Sequence, residues 1–271
     1  MTAGDAAKRW LVPPPEPAGR ILFCLPYAGV GASSYRQWPR RFGDVQVCAL
    51  QPPGRENRMR ESPHRSHAAF ATDLADALTP YLEREYFVAG HCGAVPFALD
   101  TIAELDRRGL PLPARLIASS WGPPHRGLYG RLNFVDLDTV DLVAETASLF
   151  GTAGAPVRAD FAELAARVLR TDLEVQRGYR FEPGRKVPCP VTVVAWTRDD
   201  VVPPDVAFPG WEECADATRV LLDGAHLDFL RCVDVLRDAM YRWLGEAPAA
   251  DRDQHRNESR AEVRMGGDRR D

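Results

Sequence analysis

Six short, nearly uninterrupted apolar runs alternate with longer stretches of helical periodicity, and this alternation admits few architectures. The runs are RILFCL (20–25), VQVCAL (45–50), YFVA (86–89), RLIAS (115–119), VTVVAW (191–196) and TRVLL (218–222). Strands without a polar face are covered on both sides, as in a parallel sheet. Helical patterns at 34–42, 67–83, 94–108 and 227–244 fall between the runs. Within 67–83, Phe70, Leu74, Ala77, Leu78 and Tyr81 recur at intervals of three or four and mark one buried face. The alternation predicts the α/β class, with a mainly parallel, doubly wound sheet.

The rhythm breaks between Trp121 and Pro188, where helical patterns at 140–150 and 160–179 occur without a strand. Helices inserted after a strand predict a cap, about 126–185, over the C-terminal strand edge, where open α/β sheets bind ligands. Ordinary covering helices are the alternative. The rest divides into a proline-rich lead-in (1–19), one domain (20–245) and a charged tail (246–271), whose composition predicts disorder.

Lysine plus arginine number 34 and aspartate plus glutamate 38, a net charge of −4. That balance argues against nucleic acid as a partner and gives no electrostatic reason to bind an anionic membrane. No apolar run approaches the ~20 residues of a spanning helix. The first residues lack a signal peptide's apolar core, which points to the cytoplasm. There, the six scattered cysteines are expected as free thiols. His64 and His67 lie three apart near Arg65 with no carboxylate pattern, so they read as a solvated helix start, and no metal is required.

Four signals carry chemistry. In FVAGHCGA (87–94) a strand ends, a sharp turn carries Cys92 and a helix begins, the layout of a nucleophile elbow. Gly90 and Ala94 are the small neighbours that such a turn needs, and the helix N-terminus favours negative charge on the sulfur. A buried strand-end cysteine is the plain alternative. Asp199 follows a late strand, where an acid can orient a histidine. Asp200 is the fallback. His226 lies in a glycine-containing loop after the last strand. Nucleophile, acid and histidine thus come in the chain order of α/β-hydrolases. The loop LPYAGVG (25–31) follows the first strand, so Ala28 and Gly93 are expected to supply the two oxyanion-hole N–H groups. Tyr27, Trp121 and His125 are the candidate substrate-binding residues, with a packing role as the equal alternative for Trp121 and His125.

These residues resemble the type II thioesterases of polyketide and nonribosomal-peptide assembly lines, a branch of the α/β-hydrolases. The resemblance runs from Trp10 to about Leu244 and rests on LFCLPYAGVGAS (22–33), LQPPGRENR (50–58), GHCGA (90–94), PPH (123–125) and GAH (224–226). It implies an α/β-hydrolase fold, no cofactor, and an acyl or peptidyl carrier protein as partner, the substrate riding on its phosphopantetheine arm. The family's serine falls on Cys92, its histidine on His226 and its aspartate on Asp199. Gly93 stands where the family often has methionine, and Ala94 where it has glycine. A cysteine attacking a thioester yields another thioester, which stays reactive toward water, amines and hydroxyls. Hydrolysis is therefore expected, with acyl transfer or cyclisation onto a small-molecule acceptor as one alternative and a catalytically silent binding module as another.

Overall fold

The computed structural model describes residues 9–151 and 159–245. The tail expected at 246–271 lies outside the described residues. Eight strands form one sheet: β1 (Leu11–Val12), β2 (Arg20–Cys24), β3 (Arg41–Phe42), β4 (Val45–Leu50), β5 (Tyr86–His91), β6 (Arg115–Ser119), β7 (Val191–Arg198) and β8 (Ala217–Ala225). Their order is β1-β4-β2-β5-β6-β7-β8, with β3 on β4. The six longer strands run parallel, and only the two-residue β1 and β3 pair antiparallel with β4. All six expected apolar runs lie on strands. This is the α/β-hydrolase class of doubly wound, mainly parallel sheet.

Among the described residues, five helices of ten or more residues accompany the sheet: α1 (His67–Leu78), α2 (Ala94–Arg107), α3 (Leu142–Gly151), α4 (Ala159–Gln176) and α5 (Asp234–Gly245). Ser66 caps α1, its hydroxyl oxygen accepting from the Ala69 N–H at 3.2 Å. The face of α1 foreseen from its periodicity is buried: Phe70, Leu74, Ala77 and Leu78 pack with Ile102 and Leu105 of α2 against Phe23 and Val88 of the sheet. A second core on the opposite face gathers Trp38, Phe229, Leu236 and Met240 over Leu22 and Ala89. Burial on both faces explains the absence of polar alternation in β2 and β4 to β7. β8, also expected to be covered on both sides, lies at the sheet edge with Thr218, Arg219 and Leu221 exposed. Among the described residues, no strand lies between β6 and β7, and α3 and α4 occupy that interval.

Several local expectations differ from the structure. The helix expected at 67–83 ends at Leu78. His64 and His67, expected to be solvated, lie 3.0 and 3.1 Å from the Asp73 and Asp100 carboxylates, and His67 is buried. The helix expected at 34–42 is a 3-10 turn, Ala32–Tyr35, followed by β3. Pro39 cannot extend a helix, and Trp38 is drawn inward, its indole N–H donating to the Phe229 carbonyl at 2.9 Å. The last helical pattern divides at Cys232, which sits in the left-handed region at φ 47°. A single turn, Asp228–Arg231, precedes it, and α5 follows. The proline-rich lead-in also does more than lead in. Trp10 and Leu11 are each 1% exposed, and β1 extends the sheet beyond β4.

The Trp10 ring packs edge-on against Phe70, donates from its indole nitrogen to Asp73 at 3.2 Å and lies beneath the Arg58 guanidinium. Truncating a buried aromatic of this kind removes both its transfer free energy and its packing. Trp10→Ala is expected to lower unfolding stability by about 3–5 kcal/mol, read from urea denaturation midpoints. A loss below about 1 kcal/mol would show that this segment is not part of the core.

Candidate active site

The elbow begins where β5 ends. Cys92 adopts φ 51°, a left-handed conformation that costs a non-glycine residue about 1–2 kcal/mol. Hydrogen bonds hold it there: the Cys92 N–H donates to the Ser119 carbonyl at 2.8 Å, and the Cys92 carbonyl accepts from the Val95 N–H at 3.0 Å. Gly90 is needed because a Cβ would stand 3.3 Å from the Ala94 and Val95 backbone. The turn leads directly into α2, so the Cys92 side chain sits at the positive end of that helix. Cys92 is 9% exposed.

The strand ends bring an acid and a base to the same edge. A register irregularity between Trp196 and Arg198 disturbs the β7–β8 ladder just before Asp199. The Asp199 carboxylate accepts from His226 Nδ1 at 2.9 and 3.0 Å. Its remaining lone pairs are filled by the Val201 and Val202 N–H groups, each at 2.9 Å, and by the Ser120 hydroxyl at 2.6 Å. Burial penalises the charged carboxylate, but the His226, Ser120 and Val202 hydrogen bonds prevail and hold its pKa down at about 2. Asp200, the fallback, is exposed. With Nδ1–H committed to Asp199, Nε2 is left facing the elbow.

Tyr27 and Cys92 meet His226 there. The Tyr27 hydroxyl lies 3.4 Å from His226 Nε2, and Cys92 interacts with both the phenol and the imidazole. Burial raises the Tyr27 pKa well above the usual phenol range, and the Cys92 charge raises it further, so the hydroxyl stays a donor. Burial of His226 opposes its protonation. The Cys92 charge and the hydrogen bonds to Asp199 and Cys92 outweigh it and raise the imidazole to about 10. The imidazole is thereby favoured in its protonated form.

Beneath the imidazole lies a second histidine that sequence reasoning passed over. His91 stacks on Phe229 at 4.8 Å, and its ring is 4.5 Å from that of His226. Its Nδ1 is 2.9 Å from the Ser119 hydroxyl oxygen, which also accepts from the Trp196 indole at 3.0 Å. Burial, then the His226 charge, push its pKa well below the ordinary value. The neighbouring cation is therefore confined to His226. Ser120 was also missed. Its φ of 52° turns the hydroxyl toward Asp199, and nothing in the pattern RLIASSW reveals that turn.

Ala28 and Gly93 border a cavity of about 30 Å³, together with Ala94, Phe97, Phe70 and Val175. Two other candidates lie elsewhere. Trp121 is fully buried in the main core, edge-on to Tyr129 at 5.2 Å. His125 pairs with Glu213 at 3.1 Å. Neither lines this cavity, and neither do Tyr27, Cys92 or His226. Among the described residues, no three His, Cys, Asp or Glu side chains are grouped to hold a metal. No described helix is long and apolar enough to cross a membrane.

Comparison with known proteins identifies the family. A thioesterase domain family model matches residues 20–231. A probable cadicidin biosynthesis thioesterase from Streptomyces griseus is 32% identical over 202 residues, 73% of this chain, and the match spans 55% of that protein's length. The RedJ thioesterase of the prodiginine pathway in Streptomyces coelicolor superposes with a TM-score of 0.68 at 29% identity, covering 85% of this chain and 94% of that one. BorB, a type II thioesterase from the borrelidin cluster, gives 0.67 at 26% identity, covering 87% and 97%. With a sheet edge that assembles an elbow, an acid and a histidine, and a family match across most of its length, the chain belongs to the thioesterase family.

Proposed function

We propose that this protein is a type II thioesterase of natural-product assembly lines. It hydrolyses acyl thioesters carried on the phosphopantetheine arm of an acyl or peptidyl carrier protein, through an acyl-Cys92 intermediate. One observation carries the reading: the elbow cysteine interacts with a buried imidazole whose other nitrogen is held by a fully hydrogen-bonded carboxylate. The pathway assignment rests on relatives whose names place them in antibiotic biosynthesis.

The thiolate of Cys92 attacks the acyl carbonyl. The Gly93 and Ala28 N–H groups receive the oxyanion, and the tetrahedral adduct collapses with cleavage of the bond to the pantetheine sulfur. That sulfur leaves with the proton of the His226 imidazolium. Acylation removes the charge on Cys92, the largest contribution favouring protonated His226. The imidazole is thereby released to act as a base. It takes a proton from water, whose hydroxide attacks the acyl-Cys92 carbonyl, and keeps that proton as the imidazolium while the Cys92 sulfur departs as the thiolate. The products are the free acid and the resting enzyme. Tyr27 remains a phenol throughout and donates to the sulfur in the resting state. The helices of 126–185 act as a cap over this edge, and the acyl group enters beside Phe97 and Phe70.

A second reading, transfer to an amine or hydroxyl acceptor, is favoured by the sulfur itself, since an acyl-thioester intermediate keeps its reactivity toward such acceptors. Intact-protein mass spectrometry with an acylated carrier protein tests both. Wild type is expected to show an acyl adduct that disappears in Cys92→Ala, with free acid as product. Acyl found on an added amine selects transfer. An adduct that persists in Cys92→Ala, or no turnover of any acyl carrier, would overturn both.

Two further outcomes follow from the charges. Asp199→Asn is expected to lower turnover on the order of 10³–10⁴-fold, because the imidazole loses its tautomer and its counter-charge. A decrease below tenfold in steady-state kcat would remove Asp199 from the mechanism. In Cys92→Ala, burial of His226 is opposed by Asp199 alone, so the imidazole is expected to lose its proton at lower pH than in wild type. NMR titration of the ring checks this, and an unchanged midpoint would refute the pair.

A further inference from the structure

One face of α4 touches both loops assigned above to the oxyanion hole. Asp172 Oδ2 accepts from the Gly29 N–H at 2.9 Å, in the loop that carries Ala28. Four residues later, Gln176 Nε2 donates to the Gly93 carbonyl at 2.9 Å, on the elbow itself. Residues four apart project from the same side of a helix. A third member of that face, Leu169, lies three residues before Asp172. Its Cβ would be only 3.0 Å from a Cβ placed on Gly29.

Both contacts are buried and built. Asp172 is 8% exposed and Gln176 is 2% exposed. The Asp172 carboxylate also receives a two-pronged hydrogen bond from Arg55, Nη1 to Oδ2 at 2.8 Å and Nη2 to Oδ1 at 2.7 Å. Arg55 Nη1 donates as well to the Val30 carbonyl at 3.0 Å. The loop Tyr27–Val30 is therefore held at Gly29 by Asp172 and at Val30 by the guanidinium that Asp172 orients. On the other side, the absence of a side chain at Gly93 makes room for Gln176, since a Cβ there would stand 2.5 Å from Nε2. Two glycines, on separate loops, let a single helix settle onto the site.

We propose that Asp172 and Gln176 are positioning residues: the face of α4 that bears them sets the spacing between the Ala28 and Gly93 amides, so the oxyanion hole is complete only while this helix is seated. The inference rests on the nucleophile and oxyanion assignments made above. The helix serves the tetrahedral step and not the thiolate. Gln176 bonds the carbonyl of the peptide that follows Gly93 and Asp172 bonds the amide of Gly29, and neither is among the hydrogen-bond partners of Cys92, His226 or Asp199.

This separation defines the test. Alkylation of Cys92 by iodoacetamide is a displacement at carbon that needs the thiolate but no oxyanion hole. Cleavage of a thioester needs both. Loss of an oxyanion donor typically costs ~10²–10³ in rate, and misplacement of one costs less. In Gln176→Leu, kcat on the acyl carrier turned over by wild type is expected to fall about 10–10²-fold, while the rate of Cys92 alkylation stays within about twofold of wild type. Asp172→Asn, which keeps the shape and one acceptor oxygen, is expected to show the same split and guards against misfolding of the first variant. The inference is overturned if kcat is unchanged in Gln176→Leu, or if alkylation and turnover fall together in both variants. If alkylation of wild type leaves turnover intact, the assignment of Cys92 itself fails, an outcome distinguishable from the other two.

Discussion

A carboxylate withdrawn from water is tolerable only when its lone pairs are filled, and at Asp199 this requirement organises the site. Its partners come from three separate places in the chain: the Val201 and Val202 amides just after β7, Ser120 at the end of β6, and His226 after β8. Each partner is delivered by the C-terminal end of a parallel strand. The charge in turn supports the imidazolium. A parallel sheet is what allows elements distant in sequence to meet along one edge with this economy.

The two histidines on that edge show how position decides protonation. His226 and His91 have the same side chain, and their rings are 4.5 Å apart. One faces Cys92 and a carboxylate, which favour its proton. The other faces a serine hydroxyl, an aromatic ring and the cation above it, and stays neutral. A neutral, flat His91 against Phe229 forms a floor for the reacting imidazole without competing for its charge.

Much of this was legible in the sequence because it depends on order along the chain. Apolar runs without alternation marked the buried parallel strands, and Cys92, Asp199 and His226 each follow one of them. The pieces that were not legible depend on geometry between distant segments. Ser120 reaches Asp199 only through an unusual backbone turn. Asp172 and Gln176 read as ordinary polar positions on an amphipathic helix until α4 is laid over the elbow. Trp121 and His125 illustrate the reverse: they follow a strand end and so invited a role in binding, yet the chain turns there and buries one in the core and pairs the other with Glu213. The helical pattern at 34–42 failed because a tryptophan anchor and a proline outweighed local periodicity.

The bare backbone at Gly93 has an implication for divergence. Its missing side chain and the Gln176 amide occupy one shared volume, so neither position can drift alone. A bulky residue at 93 requires something shorter or differently angled at 176, and the contact then passes from a polar grip to an apolar one. Sequences carrying both features at once should be rare, and the pair would be expected to change in concert across descendants of this chain.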